Sequence, residues 1–230
     1  MIRDNYNRVF EQIAEAAVRA GRNPNDVRLM AVTKTVDEPQ ILEAVAAGAQ
    51  LLGENKVQEL QRKRPALADA GCEVHLIGHL QSNKAAKAVE CADMIQSVDS
   101  VRVAREIAAA CAKQGKIMPV LLEVNIGRDE AKFGFLPEQL DEAIVEIAGI
   151  NGVFVRGLMT VPPFFCEKAQ TGKYFSQMRQ LFIDIRGKKM DNISMDILSM
   201  GMSDDFELAV AEGSTLVRVG SAIFGSRTYR

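Results

Sequence analysis

Eight short apolar segments alternate with longer amphipathic segments along this chain, and this alternation limits the possible folds more than any other feature. Apolar runs of this length are typical of strands, and the segments between them have apolar residues at helical spacing. The predicted strands cover residues 28–34, 50–53, 74–78, 94–98, 119–126, 153–161, 193–200 and 216–224. Helices are predicted at 2–20, 39–48, 55–70, 83–91, 101–114, 136–148, 167–186 and 203–211.

Eight strand and helix units in 230 residues predict an α/β fold, a (β/α)8 TIM barrel with an extra N-terminal helix. An open doubly wound sheet is the alternative, but no Gly-x-Gly-x-x-Gly motif follows the first strand. Because no linker interrupts the pattern, we expect a single domain over residues 1–230. One face of the first helix is expected to be buried, with Ile2, Tyr6, Val9, Phe10, Ile13 and Ala17.

Composition argues against several functional classes. The chain has 28 basic and 30 acidic residues, and a net charge of −2 does not favour nucleic-acid binding. No apolar run reaches the roughly 18 residues that cross a bilayer, and the N-terminus lacks the apolar core of a secretory signal, so we expect a cytoplasmic protein without membrane contact. His75 and His79 do not form a zinc motif. The scattered cysteines fit free thiols in a reducing compartment, and they are Cys72, Cys91, Cys111 and Cys166.

The ends of the predicted strands carry the candidate functional residues, because such barrels bind ligands at the carboxyl ends of their strands. Lys34 ends the first strand. Partial burial there favours the neutral amine, which can form a Schiff base with a carbonyl group. The alternative is a solvated lysine that only closes the strand. The other strand-end residues are mostly small or polar: Glu54, Asn55, His79, Gln81, Asp99, Asn125, Met159, Thr160, Ser199, Met200, Gly201, Gly220 and Ser221.

The last two loops have the composition of a phosphate site. Loops at these positions of a barrel often bind phosphate through backbone N–H groups and hydroxyls, and we assign these contacts to Ser199, Gly220 and Ser221. Asp204 and Asp205 would repel a phosphate, so we interpret them as residues of a helix start.

A Schiff-base amine that faces a phosphate site fits an aldehyde carrying a phosphate, and pyridoxal 5′-phosphate (PLP) is the leading ligand of this kind. Arg218 lies two residues before Gly220 on an inward-facing register, where it would meet the pyridine nitrogen. A protonated arginine keeps that nitrogen unprotonated and weakens the ring as an electron sink. The alternative for Arg218 is a surface position on the last strand.

Seven ordered stretches of the chain carry a resemblance to a known family. They are residues 31–34, 53–59, 77–84, 124–126 with 132–134, 156–160, 198–205 and 217–225. Together they resemble the pyridoxal phosphate homeostasis proteins (the YggS/PROSC group), which are related to the barrel domain of alanine racemase. The resemblance implies that Lys34 carries PLP as an internal aldimine, that Ser199, Gly220 and Ser221 contact the phosphate, and that Arg218 lies near the pyridine nitrogen. It also implies that Asn55 and Met200 form walls of the pocket.

Three functions remain open at this stage. The resemblance favours a protein that holds PLP for vitamin B6 homeostasis without a substrate reaction, with transient contact to PLP-dependent enzymes. A lone barrel of this kind is expected to be a monomer. The second function is a weak PLP-dependent amino-acid racemase. The third is an aldolase-like enzyme in which Lys34 binds a sugar phosphate.

The racemase is less favoured because a second, β-rich domain is not expected after the eighth strand. In addition, none of Tyr6, Tyr174 and Tyr229 ends a predicted strand. The roles of Asn83, Lys84, Lys87 and Lys132 stay open between binding of an anion or partner and simple solvation.

Overall fold

The structure is a computed structural model that describes residues 1–163 and 167–225. Within these residues, eight parallel strands form a closed barrel in chain order. The strands are β1 (Arg28–Val32), β2 (Leu51–Glu54), β3 (Glu73–Leu76), β4 (Met94–Val98), β5 (Met118–Glu123), β6 (Val153–Met159), β7 (Ile193–Ser199) and β8 (Leu216–Val219). The helices are α1 (Ile2–Arg19), α2 (Glu38–Ala46), α3 (Val57–Asp69), α4 (Ala85–Cys91), α5 (Val101–Gln114), α6 (Leu140–Ala148), α7 (Lys168–Gly187), α8 (Phe206–Ala211) and α9 (Ser221–Phe224). The predicted barrel with an extra N-terminal helix is confirmed.

Pairing of β1 with β8 closes the barrel. Ala31 of β1 lies in register with Leu52 of β2 on one side and with Val219 of β8 on the other. Because these strands are parallel, the segments that follow them meet at one end of the barrel. This end, which we call the rim, carries Lys34 and Gly220.

Apolar side chains pack in two layers. The larger layer lies between the strands and the helices, and α1 contributes Ile13 and other buried residues to it. A smaller cluster of buried residues comprises Met30, Leu51, Met94, Leu121, Met159, Ile197 and Leu216. The predicted burial of Phe10 is wrong, because its side chain is 55% exposed. Each helical residue turns by about 100° from the one before it, so the position after the buried Val9 already points away from the barrel.

The largest difference from the predicted elements lies at the last strand. β8 ends at Val219, and Ser221–Phe224 form the short helix α9 instead of continuing the strand. Ile223 is fully buried, and its carbonyl oxygen accepts a hydrogen bond of 3.0 Å from the side chain of Asn5 on α1. This apolar run therefore packs as a helical turn, a case that periodicity alone cannot distinguish from a buried strand. The other predicted boundaries differ by up to four residues.

One glycine permits close contact between β6 and β7. Gly157 has a φ of +153°, and a Cβ atom at this position would lie only 1.8 Å from the carbonyl oxygen of Ile197. Any side chain here would push the two strands apart, so the pairing requires glycine.

Three of the four cysteines are buried free thiols, namely Cys72, Cys91 and Cys111. Burial raises the pKa of each of these thiols, which favours the protonated, unreactive form. The predictions for Cys166 and Tyr229 lie outside the described residues. None of the described helices combines the length and the apolar character needed to cross a membrane.

Candidate functional site

Lys34 lies in a turn that follows β1 at the rim. It is partly buried, and the next residue, Thr35, has a φ of 63°, which a β-branched residue rarely adopts. The backbone N–H of Thr35 donates a hydrogen bond of 3.0 Å to Oε2 of Glu59 on α3. This contact holds the strained turn against the helix.

A buried lysine anchors the residue before Lys34. The side chain of Lys63 on α3 has no solvent exposure, and its Nζ donates to the carbonyl oxygen of Thr33 at 2.8 Å and to Glu54 Oε1 at 2.7 Å. The hydroxyl of Thr33 donates to the same Glu54 oxygen at 2.6 Å. These three contacts tie the start of the turn to both β2 and α3. The backbone at Lys34 is therefore fixed from two sides.

The two carboxylates around Lys63, Glu54 and Glu59, differ in their hydrogen-bond partners. Burial opposes ionisation of Glu59, but the hydrogen bond from Thr35 and the charge of Lys63 lower its pKa below the ordinary value. Among the described residues, Glu54 Oε2 is the one buried side-chain oxygen or nitrogen without a hydrogen-bond partner. The cluster thus leaves one unused acceptor close to the segment that carries Lys34.

Arg218 is the buried cation of the site. It is 4% exposed, and its guanidinium donates to Ser199 Oγ at 2.6 Å and to the carbonyl oxygen of Thr160 at 2.8 Å. Burial lowers the pKa of Arg218 to about 10, against the opposing effect of nearby carboxylates. Because this value is well above neutrality, the group keeps its positive charge.

Ser199 and Met200 are fully buried at the end of β7. The Ser199 hydroxyl accepts a hydrogen bond from Arg218 and donates one of 2.7 Å to Oε1 of Gln96. Met200 belongs to the apolar layer between strands and helices. The structure therefore connects Ser199 with the barrel interior, and the phosphate role of Ser199 and the wall role of Met200 stay predictions.

Ser203 lies beside the segment that follows β8. The backbone N–H groups of Gly220 and Ala222 donate to its hydroxyl at 3.4 Å and 3.3 Å. Sequence reasoning missed this residue because a serine followed by acids is a common helix-start pattern. The N-cap of α8 is instead Asp205, whose Oδ1 accepts a hydrogen bond of 2.6 Å from the backbone of Met202.

Asn55 and Ser221 occupy accessible positions at the rim. Asn55 follows β2 directly and is partly exposed, while Ser221 is exposed at the first position of α9. The backbone of Asn55 lies against Gly78, where a Cβ atom would be 2.3 Å from the Asn55 carbonyl oxygen. Two of the residues whose roles are open, Asn83 and Lys84, lie in the short 3₁₀ helix Ser82–Lys84 before α4.

A histidine and an aspartate follow β3 and β4 at the same end of the barrel. His79 Nδ1 lies 2.9 Å from Oδ2 of Asp99. The imidazole ring stacks on Phe133, with ring centroids 3.5 Å apart and an angle of 11° between the planes. This contact packs the segment after β5 against the segment after β3.

Glu123 ends β5, and its carboxyl group has a strongly raised pKa. Burial raises its pKa to about 7, the charge of Asp99 adds to this effect, and the charges of Arg218 and Lys132 oppose it. The Nζ of Lys132 donates to the carbonyl oxygens of Val161 at 3.2 Å and Pro162 at 2.6 Å. At neutral pH, Glu123 can therefore hold a proton that an exposed glutamate would lose.

Comparison with known proteins agrees with this architecture. The profile described as "Alanine racemase, N-terminal domain" matches residues 5–228, so the fold is a barrel of the alanine racemase N-terminal type. Curated pyridoxal phosphate homeostasis proteins are similar over the whole chain. The relative from Aquifex aeolicus is 39% identical and the one from Escherichia coli K12 is 37% identical, with 97% or more of each chain covered. The chain belongs to the pyridoxal phosphate homeostasis protein family.

Solved structures support the same assignment. PipY of Synechococcus elongatus PCC7942, solved with PLP bound, has a TM-score of 0.81 and 37% identity, covering 93% of this chain and 100% of PipY. A Bifidobacterium adolescentis protein described as unknown has a TM-score of 0.92 and 38% identity, covering 96% and 94% of the two chains. Alanine racemase of Clostridium difficile shares the fold, with a TM-score of 0.73 at 16% identity. The resemblance seen in the sequence is thus confirmed.

Proposed function

We propose that this protein binds PLP at the rim and takes part in intracellular PLP homeostasis without a substrate reaction of its own. The observation that carries the proposal is the buried, charged Arg218, which lies in register beside Met30 of β1, the strand that leads into Lys34. The similarity to PipY, which has been solved with PLP bound, and the names of the curated relatives support it.

Lys34 and Arg218 have complementary roles in this proposal. The amine of Lys34 condenses with the aldehyde of PLP to form a Schiff base, and one water molecule leaves. Arg218 faces the pyridine nitrogen and donates a hydrogen bond to it. Since Arg218 stays charged, the nitrogen stays unprotonated and the ring is a poor electron sink, which suits a protein that holds PLP and does not use it.

The phosphate group is assigned to the segment after β8. Gly220 and Ser221 supply a backbone N–H and a hydroxyl, and Ser203 joins them because its hydroxyl already contacts the N–H groups of this segment. Asn55 and Met200 are proposed to form walls of the pocket. Ser199 has less structural support for a phosphate contact, because its hydroxyl is engaged with Gln96 and Arg218.

The proposal extends to the location, the oligomeric state and the partners of the protein. We place the protein in the cytoplasm as a monomer that contacts PLP-dependent enzymes transiently. The buried free thiols Cys72, Cys91 and Cys111 are consistent with a reducing compartment.

A weak PLP-dependent racemase activity is the second candidate, and one observation favours it. Glu123 has a pKa raised to about 7, so it can both accept and donate a proton near neutral pH. Exchange of the α-proton of L- and D-alanine in deuterated water tests this activity. Exchange by the wild-type protein that is lost in Glu123→Gln would replace the holding role with an enzymatic one.

Visible absorption combined with borohydride reduction tests the main proposal. The full-length protein with added PLP should show a visible absorption band, and reduction followed by peptide mapping should find the label on Lys34. Lys34→Ala should lose the band, while Lys113→Ala, which removes an exposed lysine of α5, should keep it. A wild-type protein that takes up no PLP, or that carries the label on another lysine, would refute the proposal.

A further inference from the structure

Five side chains form a continuous hydrogen-bonded series through the barrel, which we call the interior relay: Arg218, Ser199, Gln96, His75 and Glu73. Arg218 Nη1 lies 2.6 Å from Ser199 Oγ, and Ser199 Oγ lies 2.7 Å from Gln96 Oε1. Gln96 Nε2 lies 2.7 Å from His75 Nδ1, and His75 Nε2 lies 2.7 Å from Glu73 Oε1. Glu73 begins β3, so the relay reaches from the rim to the opposite end of the barrel.

The two ends of the interior relay, together with the Nε2–H tautomer of His75, determine the direction of every hydrogen bond in it. Arginine can only donate, so Ser199 accepts from Arg218. When His75 Nδ1 is an acceptor, the amide nitrogen of Gln96 faces the ring, and the Ser199 hydroxyl directs its own hydrogen to the Gln96 carbonyl oxygen. The Gln96 amide then donates to His75 Nδ1, which leaves the ring hydrogen on Nε2. That hydrogen is donated to the carboxylate of Glu73, which can only accept. All four bonds therefore point away from Arg218.

The outer end of the relay is a stable acceptor. The hydrogen bond with His75 lowers the pKa of Glu73 most, Arg28 also contributes, and together they bring it to about 2 despite partial burial. Glu73 is thus ionised at neutral pH. Its second oxygen, Oε2, is bonded to Arg28 at 2.5 Å, so only Oε1 faces His75.

The relay members between the two ends have no contact with solvent. Ser199, Gln96 and His75 are all fully buried. An unsatisfied buried donor or acceptor is costly, so reversal of one bond in the relay would force its neighbours to reverse as well or leave a group without a partner. The direction of the bonds is therefore a property of the whole series.

We propose that the interior relay is a positioning device for PLP binding, in which Glu73 and His75 fix the orientation of the Arg218 guanidinium through Gln96 and Ser199. Because the hydroxyl hydrogen of Ser199 is committed to Gln96, a lone pair of Ser199 faces Arg218. This contact and the one to the Thr160 carbonyl oxygen fix the guanidinium plane by two of its nitrogens. The inference rests on the proposed function, in which Arg218 faces the pyridine nitrogen. Glu73, His75, Gln96 and Ser199 then act on PLP only through Arg218.

A matched pair of substitutions at His75 tests the relay far from the rim. His75→Gln keeps one acceptor and one donor and can preserve the direction of the bonds, whereas His75→Leu removes both. We expect PLP affinity to fall about tenfold in His75→Leu and to stay within about threefold of wild type in His75→Gln. Met94→Leu, on the neighbouring strand in register with His75, controls for packing and should leave affinity unchanged.

A milder pair at the outer end covers the case in which His75→Leu does not fold. Glu73→Ala removes the acceptor of the relay, while Arg28→Ala removes the other partner of Glu73 and leaves the relay intact. PLP affinity should fall about threefold in Glu73→Ala and not in Arg28→Ala. The visible spectrum of bound PLP should change in the same variants, because it reports on the pyridine nitrogen.

The histidine tautomer gives a readout that does not depend on PLP. The chain has two histidines, so ¹⁵N-histidine labelling of His79→Gln leaves only the signals of His75. The wild-type relay requires neutral His75 protonated on Nε2, and Glu73→Ala should produce a mixture of tautomers. His75 protonated on Nδ1 in the otherwise intact relay would overturn the assigned direction.

The outcomes separate the relay from the proposed function. Wild-type binding of PLP with equal losses in His75→Gln and His75→Leu, or with no loss in either, would overturn the relay alone. Absence of PLP binding in the wild-type protein would overturn the proposed function and, with it, the positioning role. In that case the tautomer would still report whether the hydrogen bonds run in the stated direction.

Discussion

Lys63 and Glu54 form an ion pair at 2.7 Å in which neither side chain has any solvent exposure. Lysine is rarely buried unless it is paired, and here the pair also binds the carbonyl oxygen of Thr33, the residue before Lys34. The ammonium group thus satisfies a backbone acceptor and neutralises a buried carboxylate at once. The pair connects the stability of the fold with the position of Lys34.

Removal of Lys63 should destabilise the protein strongly. Lys63→Met leaves the charge of Glu54 buried without a cation, and we expect a loss of about 3–5 kcal/mol in the free energy of unfolding, measured with urea. The double variant Glu54→Leu with Lys63→Met should recover most of this loss. Lys56→Met, at an exposed neighbouring position, is the control and should have little effect. A double variant as unstable as the single one would contradict this account.

Substitution of the rim serines should weaken binding of the phosphate group only. Ser203→Ala and Ser221→Ala should each lower PLP affinity about three- to tenfold, because each removes one hydrogen-bonding hydroxyl. Titration with pyridoxal, which lacks the phosphate, is the matched comparison and should give the wild-type affinity in both variants. An equal loss for pyridoxal and PLP would mean that these serines act on the fold and not on the phosphate.

Substitution of Arg218 should affect both stability and PLP binding. Arg218→Met leaves Ser199 Oγ and the Thr160 carbonyl oxygen without their donor, and it removes the cation proposed to face the pyridine nitrogen. We expect at least a tenfold loss of PLP affinity and a changed visible spectrum. Arg218→Lys keeps the charge but not the two-nitrogen geometry, so it should give an intermediate affinity. Wild-type affinity in Arg218→Met would place the pyridine ring elsewhere.

Glu123 should make the protein less stable as pH rises towards 7 and above. Its pKa is raised from 4.5 to about 7 in the folded chain, so its stabilising contribution is complete below about pH 4.5 and is lost as pH rises through 7. Glu123→Gln removes this dependence and should be more stable than wild type by about 2 kcal/mol at pH 8, a value discounted for the partial exposure of the carboxyl group. Urea unfolding at pH 5 and pH 8 measures the difference, with Glu130→Gln at an exposed position as the control. The same pH dependence in wild type and Glu123→Gln would contradict the assigned shift.

Periodicity was sufficient to predict the barrel, because each apolar run matches one buried strand and each longer segment one amphipathic helix. It failed at residues 221–224, where the apolar residues fit a helical turn packed against α1 as well as they fit a strand. Helix and strand differ there only through contacts with a helix more than 200 residues away in the sequence, such as Asn5 with Ile223.

The candidate site was predictable in its position but not in its internal contacts. Lys34 and Arg218 stand out because charged residues interrupt apolar strands. Lys63 had a similar signal, since it lies between the buried residues Leu60 and Leu67 on one face of α3. Ser203 and the interior relay had none, because their partners come from strands and loops that are distant in the sequence and are joined only when the barrel closes.

The Ser203 hydroxyl accepts hydrogen bonds from the same backbone N–H groups that are proposed to bind the phosphate of PLP. It contacts the N–H groups of Gly220 and Ala222, so these donors are not left bare when the pocket is empty. Under the proposed function, a phosphate oxygen joins the Ser203 hydroxyl as a second acceptor of these long N–H contacts, and the hydroxyl turns its own hydrogen towards the phosphate. Because the N–H groups have an acceptor with or without phosphate, the loaded and the ligand-free protein differ little in free energy, which suits a protein that must release PLP as readily as it takes it up.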